Sequence, residues 1–365
     1  MIAKRRPPDE ASLPDAIGHY LVAYEGAQQG KRVEIGAEPL TIGRDARQTM
    51  VFAADTEMSR AHARVSLRNE EVTVEDLGST NGTFVDGTRV TVPVALREGS
   101  VLRVGGQLLV YERRSRSEVK RTKELDRDLR KARGYVEALL PAPLDAGAVR
   151  TDWRFVPSAQ LGGDGFGYDW FDPGTFVFYL LDVSGHGVGA AMHSVTVLNA
   201  LRQRALPGVD FTDPAQVLSS LNARFEMETY DGMYFTIWYG VYRTGDRTLA
   251  YSSGGHHPAF LVGPDRSTAD PVGAPALMIG AMPNQRYQTQ QTTVAPGSLL
   301  YLFSDGVYEI PMDGDDTWGL SDFLPHMLAP PISGTPESER LYGVVRKAAR
   351  HGMKDDFSLL VLTFE

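Results

Sequence analysis

The sequence predicts a multidomain chain in which an N-terminal all-β sandwich is joined by a helical linker to a C-terminal α/β or α+β domain. Short apolar stretches broken by turn residues occupy 18–112 and are typical of a sandwich. A Pro-free segment rich in Arg, Lys, Glu and Leu follows over 113–140. Over 141–365, strand-like apolar runs mix with helical stretches, in a segment long enough for its own core.

Composition excludes several classes of protein. Hydrophobic residues make up 42% and charged residues 23% of the 365, which is typical of a folded chain. The sequence contains no Cys, which excludes disulfides, thiolate nucleophiles and Cys-ligated metal sites. The apolar run 176–181 is too short to span a bilayer, and the Pro-containing tail 1–17, which we expect to be flexible, lacks the apolar core of a signal peptide. We therefore expect a cytoplasmic protein without a membrane partner.

The first domain, 18–112, contains a strong hairpin signal. Asp86-Gly87 lies between two β-prone stretches, and this dipeptide favours a tight hairpin turn because both positions tolerate a left-handed backbone. Together with the other short strands, it predicts a β-sandwich.

Three short motifs of this domain stand out, each of which alone is common on protein surfaces. They are Ile42-Gly43-Arg44, Ser59-Arg60-Ala61-His62 and Ser79-Thr80-Asn81-Gly82-Thr83. In this order and spacing the three together resemble the forkhead-associated (FHA) domain, over roughly 20–112.

The FHA resemblance implies a phosphothreonine-binding site. Arg44 and Ser59 would contact the phosphate, Arg60 and Thr80 would assist, and Asn81 would hold the backbone of the ligand. A guanidinium with hydroxyl donors suits a dianionic phosphate that carries three acceptor oxygens. The implied partner is a protein phosphorylated on threonine by a Ser/Thr kinase pathway.

The linker, 113–140, shows a helical repeat with two interpretations. Its apolar positions follow a 3-4-3-4-3 spacing, the seam of a coiled coil that is shorter than the usual three to four heptads. The segment is therefore either a rigid spacer or, over 115–140, a helix that forms a homodimer. The seam consists of Thr122, Leu125, Leu129, Ala132, Val136 and Leu139.

The charge distribution argues against nucleic acid as a partner. The linker carries ten basic and five acidic residues, but their signs alternate and no groove-reading element accompanies them. The segment 141–365 contains 14 basic and 25 acidic residues, so it would repel a phosphate backbone.

Several aspartates of the last domain stand at strand ends or in glycine turns, where carboxylates from different strands can converge. Converged carboxylates repel one another unless a divalent cation neutralises them. Oxygen ligands without Cys or clustered His suit Mg²⁺ or Mn²⁺ better than zinc. These residues are Asp164, Asp182, Asp305, Asp355 and Asp356.

The same domain resembles the metal-dependent protein phosphatase (PPM) superfamily, of the SpoIIE/RsbU type, over about 140–365. The resemblance extends beyond the acids to the motifs at 233–236, 254–258 and 303–309. It implies an α/β–β/α fold, with a central β-sandwich flanked by helices, and a phosphatase that uses two Mn²⁺ or Mg²⁺ ions to activate water for attack on phosphoserine or phosphothreonine.

The resemblance also implies roles for these residues. Asp182 would bridge two metal ions, and the Val183 carbonyl would complete one of them. Asp305 and Asp355 would hold the other ion, and Asp164 would act from the first or second coordination shell.

Two assignments stay open in the sequence. Either Asp355 or Asp356 could be the metal ligand of its pair. His186 could donate a proton to the leaving alkoxide, or it could structure the turn that opens the following helix.

Together, the two resemblances imply a metal-dependent Ser/Thr phosphatase targeted or regulated by its FHA domain. An anti-anti-sigma-like phosphoprotein is the substrate that the SpoIIE/RsbU resemblance suggests. The alternative is a non-catalytic adaptor with an inactive phosphatase fold. Metal binding without turnover would distinguish the adaptor from the enzyme.

Overall fold

A computed structural model describes residues 16–24, 28–312, 316–349 and 352–365. The chain divides into two compact units, Met1–Arg127 and Asp128–Glu365, each described below by itself. Most of the predicted tail, 1–17, lies outside the described residues, and Ile17 already belongs to the first strand.

The first unit is a sandwich of a six-stranded and a five-stranded sheet, in the orders β2-β1-β11-β10-β7-β8 and β4-β3-β5-β6-β9. Its strands are β1 (Ile17–Ala23), β2 (Arg32–Ile35), β3 (Leu40–Gly43), β4 (Met50–Val51), β5 (Ala63–Arg68), β6 (Glu71–Asp76), β7 (Thr83–Val85), β8 (Thr88–Arg89), β9 (Val94–Ala95), β10 (Val101–Val104) and β11 (Gln107–Ser115).

Alternating side chains explain why these strands form two layers. In β10, Leu102 and Val104 are fully buried, whereas Val101 is exposed. The predicted hairpin is confirmed: β7 and β8 pair antiparallel, and Asp86 and Gly87 between them have φ of 48° and 82°. Two consecutive left-handed residues are what a tight hairpin turn requires.

The second unit contains two further five-stranded sheets, in the orders β12-β23-β20-β17-β18 and β13-β14-β15-β16-β19. Its strands are β12 (Val149–Val156), β13 (Gly165–Asp172), β14 (Thr175–Val183), β15 (Phe235–Arg243), β16 (Thr248–Gly254), β17 (Ala259–Val262), β18 (Ala269–Val272), β19 (Gln290–Thr293), β20 (Leu299–Phe303), β21 (Ile310–Pro311), β22 (Thr317–Trp318) and β23 (Phe357–Phe364).

Helices cover both outer faces of this pair of sheets. These helices are α2 (Val188–Arg202), α3 (Pro214–Arg224), α4 (Leu320–Leu328) and α5 (Glu337–Ala348). A further helix, α1 (Arg116–Glu137), precedes them in the chain. No helix among the described residues is long and apolar enough to cross a membrane.

Three apolar layers hold the unit together. Phe178 and Trp238 of one sheet pack with Leu360 of the other in the core between the sheets. The outer face of the β14 sheet packs against α2 and α3, and that of the β23 sheet packs against α4 and α5. The predicted α/β–β/α layering is confirmed, because continuous apolar strands such as β14 are buried on both faces.

The helix α1 covers most of the predicted linker, although β11 continues to Ser115. The boundary between the two units falls after Arg127, within this helix. Half of the predicted seam packs inside the second unit, where its residues contact the start of α2 and the loop before β13. The seam residue Leu125, in contrast, is 58% exposed. The packed cluster consists of Leu129, Val136, Leu139, Leu161, Ala191 and Val195.

Candidate functional site

The aspartates singled out in the sequence meet where strands of both sheets end. Asp182 is the penultimate residue of β14, and Asp164 directly precedes the neighbouring strand β13. In the other sheet, Asp305 lies two residues after the end of β20, and Asp355 lies two residues before its neighbour β23. The two sheets therefore contribute two carboxylates each to one acidic centre.

Asp356 has a different surrounding from Asp355. Its side chain is buried, and its Oδ1 accepts hydrogen bonds from the amide and hydroxyl of Ser158, at 2.8 and 2.9 Å. Its Oδ2 accepts from the amide of Gly163 at 2.7 Å. A Cβ at Gly162 would overlap this carboxylate, so a glycine is needed there. Asp356 thereby fastens the loop that carries Asp164 to the start of β23.

Asp164 is buried with an unsatisfied oxygen. Asp164 is 2% exposed, and its Oδ2 has no hydrogen-bond partner among the residues that the structure describes. Burial, together with the charges of Asp182 and Asp356, raises the pKa of the Asp164 carboxyl well above its usual range. A buried, unpaired carboxylate oxygen is costly unless a cation or a proton satisfies it.

The other acids also resist ionisation. Burial and the charges of Asp305 and Asp355 raise the pKa of Asp182 to about 8. Burial and the charges of Asp355 and Glu309 raise the pKa of Asp305 to about 6. The pKa of Asp355 is raised by partial burial and by Asp356. No Lys or Arg in the described part of the chain forms an ion pair with any of these acids.

The donor set fits a hard divalent cation. The acidic centre offers carboxylate oxygens without sulfur, its charges are uncompensated, and Asp164 has the free buried oxygen described above. In the side-chain positions of the described residues, however, no three His, Asp or Glu side chains are close enough to hold one ion. The residues therefore match the chemistry of such a site. Their side chains would have to move closer together to hold an ion.

The Val183 carbonyl lies beside the same loop. A Cβ at Gly163 would come within 2.9 Å of the Val183 oxygen and 3.3 Å of the Gly185 oxygen. The absence of a side chain at this position lets the loop with Asp164 approach the end of β14. Val183 itself is buried.

His186 lies at the edge of the acidic centre. Its side chain is exposed in the turn before α2. Its charge offsets part of the effect by which burial and Asp356 raise the pKa of Asp355. This position leaves both interpretations of His186 open.

His256 is not available as a metal ligand. It is buried, its Nε2 lies 3.0 Å from the Phe303 carbonyl, and its Nδ1 lies 2.8 Å from the Thr236 hydroxyl. Burial and the neighbouring His257 lower its pKa well below the usual value, so the ring is neutral. A neutral ring whose Nε2 donates to a carbonyl must accept at Nδ1.

Sequence reasoning missed two side chains around the acids. The Ser304 hydroxyl donates to the Asp356 carbonyl at 3.0 Å and accepts from the Ser358 amide at 3.2 Å, which joins β20 to β23 beside Asp305. The pKa of Tyr308 is raised by burial and by nearby acids, Asp305 among them. Both residues flank Asp305 in the 303–309 motif, and that adjacency was the available signal.

In the first unit, loops bring the predicted phosphothreonine-binding residues together. The Thr80 amide donates to the Ser59 hydroxyl at 3.1 Å, and the Arg44 amide donates to the Ser59 carbonyl at 3.0 Å. The Asn81 amide group donates to the Glu57 carbonyl at 2.8 Å, which leaves its Oδ1 to accept from a ligand. The guanidinium groups of Arg44 and Arg60 are exposed.

Buried His62 connects the loops of this site. Its Nδ1 accepts from the Ser59 amide at 3.1 Å, and its Nε2 donates to the Gly82 carbonyl at 3.2 Å. The Arg60 carbonyl lies so close to Gly43 that a Cβ there would overlap it. The backbone of these loops is therefore fixed before any ligand binds.

Comparisons with known proteins match two parts of the chain to known families. Residues 172–365 match the family described as stage II sporulation protein E (SpoIIE), and residues 40–105 match the FHA domain. Phosphoserine phosphatase RsbU of Bacillus subtilis is 27% identical over 222 residues, which cover 60% of this chain and 63% of RsbU. FHA domain-containing protein FhaB of Mycobacterium tuberculosis is 45% identical over 86 residues, which cover 24% of this chain and 55% of FhaB.

A solved structure shares the fold of the second unit. The SiaA-PP2C domain of Pseudomonas aeruginosa aligns with a TM-score of 0.59 at 19% identity, over 68% of this chain and all of that domain. The chain spans less than two thirds of the length of FhaB and of RsbU. Because the SpoIIE match covers just over half of the chain and agrees with the layered fold, the chain belongs to the SpoIIE family, with an FHA domain ahead of its SpoIIE domain.

Proposed function

We propose that the SpoIIE domain is a Mn²⁺- or Mg²⁺-dependent phosphatase that hydrolyses phosphoserine or phosphothreonine on a protein. The observation that carries this proposal is the acidic centre at the edge of two sheets, whose carboxyls have raised pKa values and form no ion pair with a described Lys or Arg. The likeness to RsbU, which is named a phosphoserine phosphatase, supports the reaction class.

In this proposal each residue has a distinct task. Asp182 and the Val183 carbonyl, with Asp305 and Asp355, would hold two divalent ions, and Asp164 would complete or orient their ligands. When bound, such ions supply Lewis-acid chemistry that activates water and offsets charge on the phosphoryl oxygens.

We infer that Asp355, rather than Asp356, is the ligand of its pair. The oxygens of Asp356 already accept from Ser158 and Gly163, whereas Asp355 faces the charges of Asp182 and Asp305. Asp356 would then position the loop that carries Asp164. His186 keeps both of its candidate roles, proton donor and turn residue.

Substitution of the acidic centre should abolish hydrolysis. We expect Asp182→Asn and Asp305→Asn to lower kcat for p-nitrophenyl phosphate by at least about 100-fold, because each removes charge that holds the cations. Turnover of the wild-type chain should stop in EDTA and return when excess Mn²⁺ or Mg²⁺ is added. A phosphoserine, a phosphothreonine and a phosphotyrosine peptide, assayed side by side, would measure the side-chain specificity.

Asp145→Asn is the matched control for these variants. Asp145 is an exposed acid of the same domain, so its removal should leave kcat unchanged. Hydrolysis that survives both EDTA and Asp305→Asn would refute the proposal. Binding of Mn²⁺ by calorimetry with no turnover of any phosphopeptide would instead support the non-catalytic adaptor.

We also propose that the FHA domain binds a threonine-phosphorylated protein, the product of a Ser/Thr kinase. The support is the surface formed by exposed Arg44 and Arg60 beside the hydroxyls of Ser59 and Thr80, with loops braced by His62. The match of residues 40–105 to the FHA domain, and the 45% identity with FHA domain-containing protein FhaB over 86 residues, support the assignment of this domain.

Loss of one guanidinium should weaken this binding strongly. We expect Arg44→Ala to raise the Kd for a phosphothreonine peptide by about 10- to 100-fold, since charge-assisted hydrogen bonds to phosphate are among the strongest polar contacts. Arg47→Ala is the control, because Arg47 is exposed nearby and pairs with Asp45. Equal Kd values for wild type and Arg44→Ala would contradict the assignment.

An anti-anti-sigma-like phosphoprotein is the substrate that we propose for the pair of domains. Binding of one phosphorylated site by the FHA domain would raise the local concentration of a second site near the acidic centre. The expected signature is that Arg44→Ala raises KM for a doubly phosphorylated protein but leaves p-nitrophenyl phosphate hydrolysis unchanged.

A further inference from the structure

Apart from the acidic centre, the SpoIIE domain contains a cavity on the face of the β14 sheet that packs against α2 and α3. Its volume is about 290 Å³, at the lower end of the range for small-molecule sites. The floor is formed by Tyr179 and Tyr239 of β14 and β15. Leu201 of α2 and Pro141, which follows α1, stand at its rim.

The floor contains a hydroxyl group without a partner. Tyr179 is only 5% exposed, yet its hydroxyl forms no hydrogen bond with any residue that the structure describes. The neighbouring Tyr239 hydroxyl, in contrast, donates to the Phe211 carbonyl at 2.8 Å. The Tyr179 oxygen is not among the fully enclosed unsatisfied atoms of the described residues, so it opens into the cavity, where a ligand can form a hydrogen bond with it.

The walls favour a flat aromatic ligand. The rings of Tyr179 and Tyr239 are almost parallel, with an interplanar angle of 3° and centroids 6.0 Å apart. Tyr168, Phe171 and Phe211 add three further aromatic side chains to the lining. Several aromatic side chains together favour an aromatic ligand, because stacking and edge-to-face contacts between rings add stabilisation to that from the buried apolar area.

The charge of the lining selects a monoanion. Arg204 is already engaged, since it contacts Asp169 at 3.3 Å and lies 4.5 Å above the Phe171 ring. Arg202 donates to the Leu139 carbonyl at 2.8 Å but has no acidic partner among the described residues. One guanidinium charge is thus left uncompensated at the rim, which matches one carboxylate.

We propose that this cavity binds a small planar aromatic carboxylate, with its rings against Tyr179 and Tyr239 and its carboxylate on Arg202. The site is distinct from the acidic centre, because side chains alternate along β14: Tyr179 faces the helices, whereas Asp182 lies on the other face of the sheet. A ligand there would contact both the end of α2 and the residue Pro141, and it would not compete with a phosphorylated substrate.

The test uses 2-naphthoate as the probe and calorimetry on the full chain. We expect 2-naphthoate to bind with a Kd on the order of 100 µM and the neutral isostere 2-naphthamide to bind at least about tenfold more weakly. Arg202→Gln should weaken 2-naphthoate about tenfold and leave 2-naphthamide unchanged. Tyr179→Phe, which preserves the ring, should weaken 2-naphthoate several-fold.

Two controls separate this site from other binding. Arg224→Gln removes a comparable exposed guanidinium of α3 that bonds a carbonyl outside the cavity, and it should leave the 2-naphthoate Kd unchanged. Asp182→Asn should also leave it unchanged, so the outcome does not depend on the proposed phosphatase. The proposal is overturned if 2-naphthoate does not bind, if the amide binds equally well, or if Arg202→Gln and Arg224→Gln have the same effect.

Discussion

At the scale of single residues, the acidic centre consists of carboxyl groups that the fold keeps from ionising easily. The pKa of Asp182 is raised to about 8 and that of Asp305 to about 6 by burial and mutual repulsion. A carboxyl with a raised pKa in the folded state holds a proton that the unfolded chain has already lost above its ordinary pKa. The folded state therefore loses stability as pH rises from about 4 to about 8.

This linkage predicts a pH-dependent gain from Asp182→Asn. In EDTA, the variant should have a Tm several degrees higher than wild type at pH 8. The difference should be small at pH 4, where Asp182 is protonated in the folded state and about half protonated in the unfolded chain. The difference between the two proteins is the quantity to measure, because buried His256 acts in the opposite direction, losing stability as pH falls below 6.5. Asp145→Asn should shift Tm equally at both pH values; a parallel shift for Asp182→Asn would exclude the linkage.

The pair Asp355 and Asp356 marks the limit of prediction at this scale. Both are acidic and both precede β23, so the sequence offers no distinction between them. Only the folded loop shows that the amides of Ser158 and Gly163 take up the oxygens of Asp356. The competing donors lie almost 200 residues away in the sequence, and no local pattern reports them.

At the scale of elements, α1 shows how one apolar repeat can serve two purposes. The seam predicted either a spacer or a dimerising helix, and both fit its spacing. In the structure, Leu129 and Val136 pack on α2 within the second unit, whereas Leu125 is exposed. Dimer formation over 115–140 stays a prediction. The apolar positions Leu129 and Val136 are already explained by their packing on α2 within the same chain.

Truncation of this packing should loosen the end of α1. We expect Val136→Ala to destabilise the segment 128–137 by about 1 kcal/mol, since two buried methyl groups are lost. Hydrogen exchange of its amides should accelerate about fivefold, whereas Leu125→Ala, at an exposed position, should leave exchange in 128–137 unchanged. Slower or unchanged exchange in Val136→Ala would contradict the packing; faster exchange in Leu125→Ala that depends on protein concentration would favour the dimer.

At the scale of the whole molecule, the arrangement of sheets and helices could be predicted from the sequence, whereas the cavity over Tyr179 could not. Continuous apolar strands such as β14 and β23, separated by helical stretches, indicated sheets covered by helices. The acids were found because charges just beyond buried strands lie at the rim of a sheet, where carboxylates from several strands can converge. The cavity over Tyr179 was not foreseen, because its lining comes from distant segments whose residues carry no shared pattern.

The origin of the carboxylates in two different sheets has a consequence for dissection of this domain. Asp164 and Asp182 belong to the first half of the fold, and Asp305 and Asp355 arrive only with its last strands. A nascent or truncated chain that ends before β20 can complete one sheet and still carry only two of the four carboxylates proposed to hold the cations. Cation affinity should therefore emerge late in folding. A bound ion would link the two sheets, so that they unfold together rather than one at a time.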